Sequence, residues 1–469
     1  MAIQPARLIS RKAHLIPGQF HVAELFFEVP KNYANPAAGT LRLFGRTVNK
    51  YERSITPPLP AELEQLHQRP YFVYLEGGPG YGNREPQELP LTRFLLGRGY
   101  QVLYLDYRGT GLSTPINAEA LAREGDTQAQ ADYLKLFRQD NIVRDLEAVR
   151  LCLTADQRPD RRQWSIFGQS FGGFVSLTYL SKYPQGLRES FITGGLAPVR
   201  RTAEEVYRAT YRKVLERNQA YYDKYPEDVQ AVRRVVEYIT AQDGIALPGG
   251  GKLTAGRLLS VGMSLGFHGG LDSIHSLILK MVTDLDQFSF LTRSTLTAVE
   301  LSVPFDSNPV YAILHEAIYC YQPGVSSNWA AYRVGREING FSWLAGQPPS
   351  QEEGGMETPL CFAGEMVFPF HFETYPELMQ MREAARLLAE YDGWEDLYDE
   401  EQLRRNEVPV YAASFVDDMY VDFDLARETA KLVRGIRVYE TNSLYHNAIR
   451  ARSEEVLPQL FKMRDDPVD

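Results

Sequence analysis

Gly168-Gln169-Ser170-Phe171-Gly172 sets a serine between two glycines, after a short apolar run and before a helix-like one. A strand that turns at once into a helix holds its apex residue in a strained conformation and lifts the side chain clear of the sheet, so Ser170 reads as a nucleophile for acyl transfer. Glycine two places either side removes the side chains that would clash in so sharp a turn. A serine hydroxyl attacks a carbonyl only if a histidine takes its proton and an acid orients that histidine. Of the eight histidines, His14, His21 and His67 precede the serine, and His268, His275, His315 and His371 fall in a long helix-rich stretch, which leaves His446. The acid is expected just after the strand that ends near Phe415, where Asp417 and Asp418 stand. Asp418, one residue further out and leading into Met419-Tyr420-Val421, is the first choice and Asp417 the alternative. Acyl transfer also needs donors for a developing oxyanion. The amide after the nucleophile, Phe171, supplies one, and Gly77-Gly78-Pro79-Gly80 supplies the other through Gly78.

The elements that must position these groups follow from hydrophobic pattern. Phe20 to Val29 and Leu41 to Thr47 read as an antiparallel lead-in pair. Tyr71 to Leu75, Gln101 to Leu105, Trp164 to Phe167 and Ser190 to Thr193 are short apolar runs of the kind buried in a parallel sheet covered by helices on both faces. After Pro198 the pattern becomes helical: Thr202-Ala203-Glu204-Glu205 forms a capping box, and breaks fall at Leu247 to Gly251 and Gly346 to Gly355. Strand character returns at Val408 to Phe415 and Ile436 to Glu440. The expected architecture is an α/β-hydrolase fold: a mostly parallel sheet from residues 1–200 and 405–469, with an inserted, mainly helical cap over 201–404. Serine, acid and histidine occur in the chain order of that fold.

Composition narrows the partners. The 469 residues are 44% hydrophobic and 23% charged, which is ordinary globular composition. A formal net charge of -10 disfavours nucleic acid and anionic membranes, since both select clustered Lys and Arg. No stretch has the apolar length of a membrane span or a signal peptide. Three cysteines, Cys152, Cys320 and Cys361, are an odd number that fits a reducing compartment, so a cytoplasmic location is expected. No metal or other cofactor is expected. Tyr319 stands where a zinc-peptidase helix beginning His315-Glu316 needs its second histidine, and Gly249-Gly250-Gly251-Lys252-Leu253 departs from a phosphate-binding loop both at Leu253 and at Ala246.

Gly77-Gly78-Pro79-Gly80, Asp106-Tyr107-Arg108-Gly109-Thr110-Gly111-Leu112-Ser113 and Gly168-Gln169-Ser170-Phe171-Gly172-Gly173 together resemble the proline iminopeptidases, serine peptidases of the α/β-hydrolase fold. The resemblance continues through His315 to Cys320, Gly364 to Val367, Asp417 to Val421 and His446 to Arg450, so it spans nearly the whole chain and is closest to the longer members. Two positions depart from it: Glu76, where His or Gln is common, and Ala448, where glycine is common. The resemblance implies release of N-terminal proline from peptides by Ser170, His446 and Asp418 without a cofactor, and it matches Glu316 and Glu365 to the family's amine-binding carboxylates. An enzyme that removes one residue must sense a free ammonium group, which a carboxylate does better than any neutral side chain. The alternatives on the same scaffold are an esterase, an aminopeptidase of broader specificity, and a non-catalytic binding protein.

Overall fold

The computed structural model describes residues 2–52, 68–345 and 358–466. The expected break at Gly346 to Gly355 lies outside the described residues. Among the described residues, nine strands form one sheet in the order β1-β2-β3-β5-β4-β6-β7-β10-β11. They are β1 (Arg7–Ile16), β2 (Phe20–Pro30), β3 (Thr40–Lys50), β4 (Tyr71–Leu75), β5 (Gln101–Leu105), β6 (Trp164–Gln169), β7 (Leu187–Thr193), β10 (Val410–Phe415) and β11 (Ile436–Thr441). The first three are antiparallel and β3 pairs antiparallel with β5, whereas β5, β4, β6, β7, β10 and β11 run parallel. The α/β-hydrolase architecture expected from the pattern is therefore present, with β10 and β11 rejoining the sheet after a long excursion.

The apolar runs are continuous because the parallel strands are covered on both faces. Alternate residues point to opposite sides. Phe72, Tyr74, Val102, Tyr104, Phe167 and Phe191 pack with Phe461 of the C-terminal helix Ser453–Asp465. Val73, Leu75, Leu103, Leu105, Ile166 and Ile192 pack on the other side. That second cluster runs without interruption into Tyr207, Tyr211, Tyr311 and Phe362, so sheet and insertion share one apolar core.

Between β7 and β10 the chain is mainly helical. Thr202 caps the helix Ala203–Lys224 reciprocally with Glu205, as the capping box requires. The break at Leu247 to Gly251 is the turn of a small antiparallel hairpin, β8 (Ile245–Ala246) with β9 (Lys252–Leu253). Strand β1 does not stand out in the sequence. It lies at the sheet edge with most residues exposed, Leu15 to 54%, and pairing with β2 rather than burial holds it in place.

Candidate active site

Ser170 is the junction between β6 and the helix Phe171–Lys182, with φ 55° and ψ -123°. A positive φ at a non-glycine residue costs roughly 1–3 kcal/mol and persists only where its surroundings hold it. Here the Ser170 amide donates to the Thr193 carbonyl at 2.9 Å and the Ser170 carbonyl accepts from Gly173 at 2.7 Å. The glycines are required by contact: a Cβ at Gly172 would lie 2.0 Å from the Leu75 carbonyl oxygen, and one at Gly168 would lie 2.3 Å from the Gly172 oxygen.

His446 reaches this serine from a loop beyond β11. Its Nε2 lies 2.8 Å from Ser170 Oγ and its Nδ1 2.8 Å from Asp418 Oδ2. Asp418 is buried, and its other oxygen accepts from the amides of Tyr420 at 2.8 Å and Val421 at 3.0 Å, so the turn after β10 aims the carboxylate. Asp417 points elsewhere: its side chain is 39% exposed and meets Lys213 Nζ at 3.4 Å. The Tyr420 ring covers the imidazole at a centroid distance of 4.4 Å. Burial opposes a charge on His446, but the charge and hydrogen bond of Asp418, with the more distant charge of Glu365, carry its pKa above the ordinary 6.5.

The loop after β4 closes over the serine. A Cβ at Gly77 would come within 3.1 Å of Ser170 Cβ, and Gly78 has φ 129°, a conformation that favours glycine. Phe171 opens its helix, where the first amides have no intrahelical acceptor. Gly80 packs so closely on the Tyr311 backbone, with a virtual Cβ 2.5 Å from its nitrogen, that this loop also abuts the insertion.

The two glutamates have different surroundings. Glu365 is half-buried and accepts from Tyr311 Oη at 2.7 Å. Its charge acts on Tyr81, Tyr319, Tyr420 and His446, so it lies within electrostatic range of the imidazole. Glu316 is buried and accepts from the amides of Ala331 at 2.9 Å and Ala330 at 3.1 Å, at the start of the helix Ala330–Gly335. Burial pushes its pKa up to about 7 despite those hydrogen bonds. His315 is buried with its ring against Tyr311 at 4.9 Å, and burial lowers its pKa, which keeps it neutral. Sequence spacing does not single out Tyr81, Tyr311 or Tyr420, because 28 tyrosines and 23 phenylalanines give no ranking.

Among the described residues, Glu227, Asp228 and His275 bring ligand atoms close enough together for a metal ion. They are remote from the serine in the contacts they make: Asp228 accepts from Tyr221 Oη and lies 2.9 Å from His275 Nδ1. Both contacts fall on Asp228 Oδ2, and His275 is itself one of the three residues.

A sharp strand-to-helix serine on a mostly parallel sheet, met by a histidine from a loop after the last strand, defines the class as α/β hydrolase. A family profile described as alpha/beta hydrolase fold matches residues 70–238. The chain is 40% identical over 467 residues to proline iminopeptidase aneH of Aspergillus aculeatus, covering 100% of this chain and 99% of that one. It is 41% identical over 461 residues to a proline iminopeptidase of Aeromonas sobria, covering 98% and 100%. A crystal structure of a proline iminopeptidase from Mycobacterium smegmatis is similar at a TM-score of 0.41 with 13% identity, over 97% of this chain and 99% of that one, too distant for residue-by-residue comparison. Likeness to the first two along their full length decides the matter: the chain belongs to the proline iminopeptidase family.

Proposed function

We propose that this protein is a serine aminopeptidase that releases N-terminal proline from peptides through a prolyl-enzyme intermediate. The observation that carries this reading is the continuous chain of contacts from Ser170 Oγ through His446 to Asp418, each 2.8 Å, with the Glu365 carboxylate within electrostatic range of the imidazole. In the proposed reaction His446 Nε2 takes the hydroxyl proton as Ser170 Oγ bonds to the prolyl carbonyl carbon. The amides of Gly78 and Phe171 donate to the resulting oxyanion, each such donor being worth about a hundredfold or more in rate. Asp418 holds the Nδ1 proton and stabilises the imidazolium. The C–N bond then breaks, and the departing peptide amine takes the proton from His446. Water, deprotonated by the same imidazole, attacks the prolyl ester and returns Ser170 with free proline.

Full-length likeness to proline iminopeptidases supports proline as the released residue. Glu365 and Glu316 are assigned to the substrate ammonium, with Glu365 making the nearer approach because Glu316 is engaged by two backbone amides. The proposed division is a hydrolase domain of residues 1–200 and 405–469 and a cap of 201–404. Among the described residues no helix is long and apolar enough to cross a membrane. Cys152, Cys320 and Cys361 are free thiols, which supports a cytoplasmic placement.

Chromogenic amides of proline, N-acetylproline and alanine, compared with a simple ester, test the assignment. Rapid cleavage is expected only for free-amine proline, and Glu365→Gln should reduce the preference for the free amine over the acetylated substrate at least about tenfold, the order expected for a charge-assisted contact. Equal turnover of the acetylated substrate by the unaltered protein would overturn the amine pocket, and turnover of the ester alone would establish an esterase.

A further inference from the structure

Glu76 stands just before the double glycine, and the fold gives its carboxylate a charged partner. Its side chain ends β4 at 3% exposure, a costly place for a carboxylate unless it is compensated. Oε1 accepts from the Gly77 amide at 2.8 Å and, in a short hydrogen bond, from Arg450 Nη2. Oε2 is buried without a hydrogen-bond partner among the described residues, so the compensation comes through Oε1. Arg450 sits on the short helix Ala448–Ala451 in the segment that begins with His446, and the Tyr74 hydroxyl lies against its guanidinium. The Glu76 backbone is fixed as well: Tyr107 Oη donates to its carbonyl at 3.2 Å, and that carbonyl presses on the nucleophile helix where a Cβ at Gly172 would lie 3.1 Å away. One ion pair thus ties the loop that carries Gly78, the helix behind Ser170 and the segment that carries His446.

Glu76 is buried while the Arg450 side chain is 32% exposed, and ion pairs that reach into the interior in this way contribute little to stability compared with apolar residues of the same size, their best-attested use being to fix registry. We infer that Glu76 and Arg450 form a positioning pair that sets the Gly77–Gly78 peptide against Ser170 and His446, so that the oxyanion donor and the base are held in one geometry. This rests on the roles proposed above for Ser170, His446 and Gly78.

The pair also has an electrostatic signature. The charged groups facing His446 are Asp418 from the turn after β10, Glu365 from the insertion and Arg450 from its own segment; the uncharged Tyr420 ring and Ser170 complete the surroundings. Arg450 disfavours the imidazolium, and Glu76 offsets Arg450. Glu76→Gln keeps an oxygen for the Gly77 amide but leaves the guanidinium unopposed. The His446 pKa should then fall, and the acid limb of kcat/KM should move to lower pH, because the imidazole stays neutral further down the scale.

Full-length Glu76→Gln, Glu76→Gln/Arg450→Met and Arg450→Lys proteins would be compared across pH on a free-amine prolyl amide, with rates referred to sites titrated by a serine-reactive phosphonate. In Glu76→Gln, kcat should drop by about tenfold or more, the scale of a misplaced oxyanion donor, with KM within about twofold. Its acid limb should move down in pH, the double variant should return the limb to the original position without recovering kcat, and Arg450→Lys should lower kcat while leaving the limb in place. A limb that stays fixed in Glu76→Gln, or a loss carried by KM, would overturn the positioning role. Insoluble Glu76→Gln protein together with wild-type kcat in Arg450→Lys would overturn it too, since the pair would then serve folding alone. If the unaltered protein itself fails to react with the phosphonate, the fault lies in the proposed nucleophile and not in this pair.

Discussion

Asp417 and Asp418 are neighbours in the chain with opposite surroundings. Asp418 is buried, held by two backbone amides and aimed at His446, whereas Asp417 reaches only a surface lysine. Asp418→Asn should therefore lower kcat by about 10⁴-fold with near-normal folding, since an amide cannot hold the imidazole in the productive tautomer. Asp417→Asn should change stability by no more than about 0.5 kcal/mol and leave kcat untouched. Steady-state kinetics with thermal melts on both variants separates them, and a larger kcat loss in Asp417→Asn would reverse the assignment of the acid. Much at this scale is legible in the sequence, because chain order leaves one histidine and two adjacent acids. What separates Glu316 from Glu365 is not: both match by motif, and only the fold shows one engaged by a helix start and the other accepting from the Tyr311 hydroxyl.

The turn from β6 into the helix Phe171–Lys182 is the element on which the candidate site rests. Its glycines are sites of backbone contact, so an added methyl group meets carbonyl oxygens rather than side chains that can turn away. Gly172→Ala should destabilise the fold by about 1–3 kcal/mol, the usual cost of overpacking, and remove the acylation burst by shifting Ser170. A variant with unchanged melting temperature and burst amplitude would show that the turn is looser than its contacts indicate. Strands β2 to β7 and β10 are legible to within a few residues because burial on one or both faces leaves an apolar pattern, and β11 is legible from its β-favouring residues although none of them is fully buried. Strand β1 leaves none: Arg7, Arg11, Lys12 and Leu15 face solvent, and only backbone pairing with β2 makes it a strand.

At the scale of the molecule, the insertion is fastened to the sheet side by more than apolar contact. Arg138, almost fully buried, donates to the carbonyls of Cys320 at 2.6 Å and Glu395 at 2.8 Å, pairs with Asp140 at 2.8 Å and lies under the Trp394 ring. Arg138→Met would strip the buried Asp140 carboxylate of this partner and leave two carbonyls without their donor. A loss of about 3–5 kcal/mol is expected, as for other broken buried pairs, with proteolysis beginning within residues 201–404. Cleavage beginning instead in residues 1–200 would place the weakness in the sheet. The mainly helical stretch between β7 and β10 is legible from the change of pattern after Pro198. Its shared core with the sheet is not, since a cluster that extends from Leu103 and Ile166 to Tyr211 and Phe362 leaves no mark in local sequence.

Ser170 and His446 touch across 276 positions of chain. At the usual pace of about 5–20 residues per second, a ribosome exposes the hydroxyl tens of seconds before it makes the imidazole. For that interval the proposed nucleophile lacks the base proposed for it. On the proposed roles, competence arrives only with the final stretch of translation.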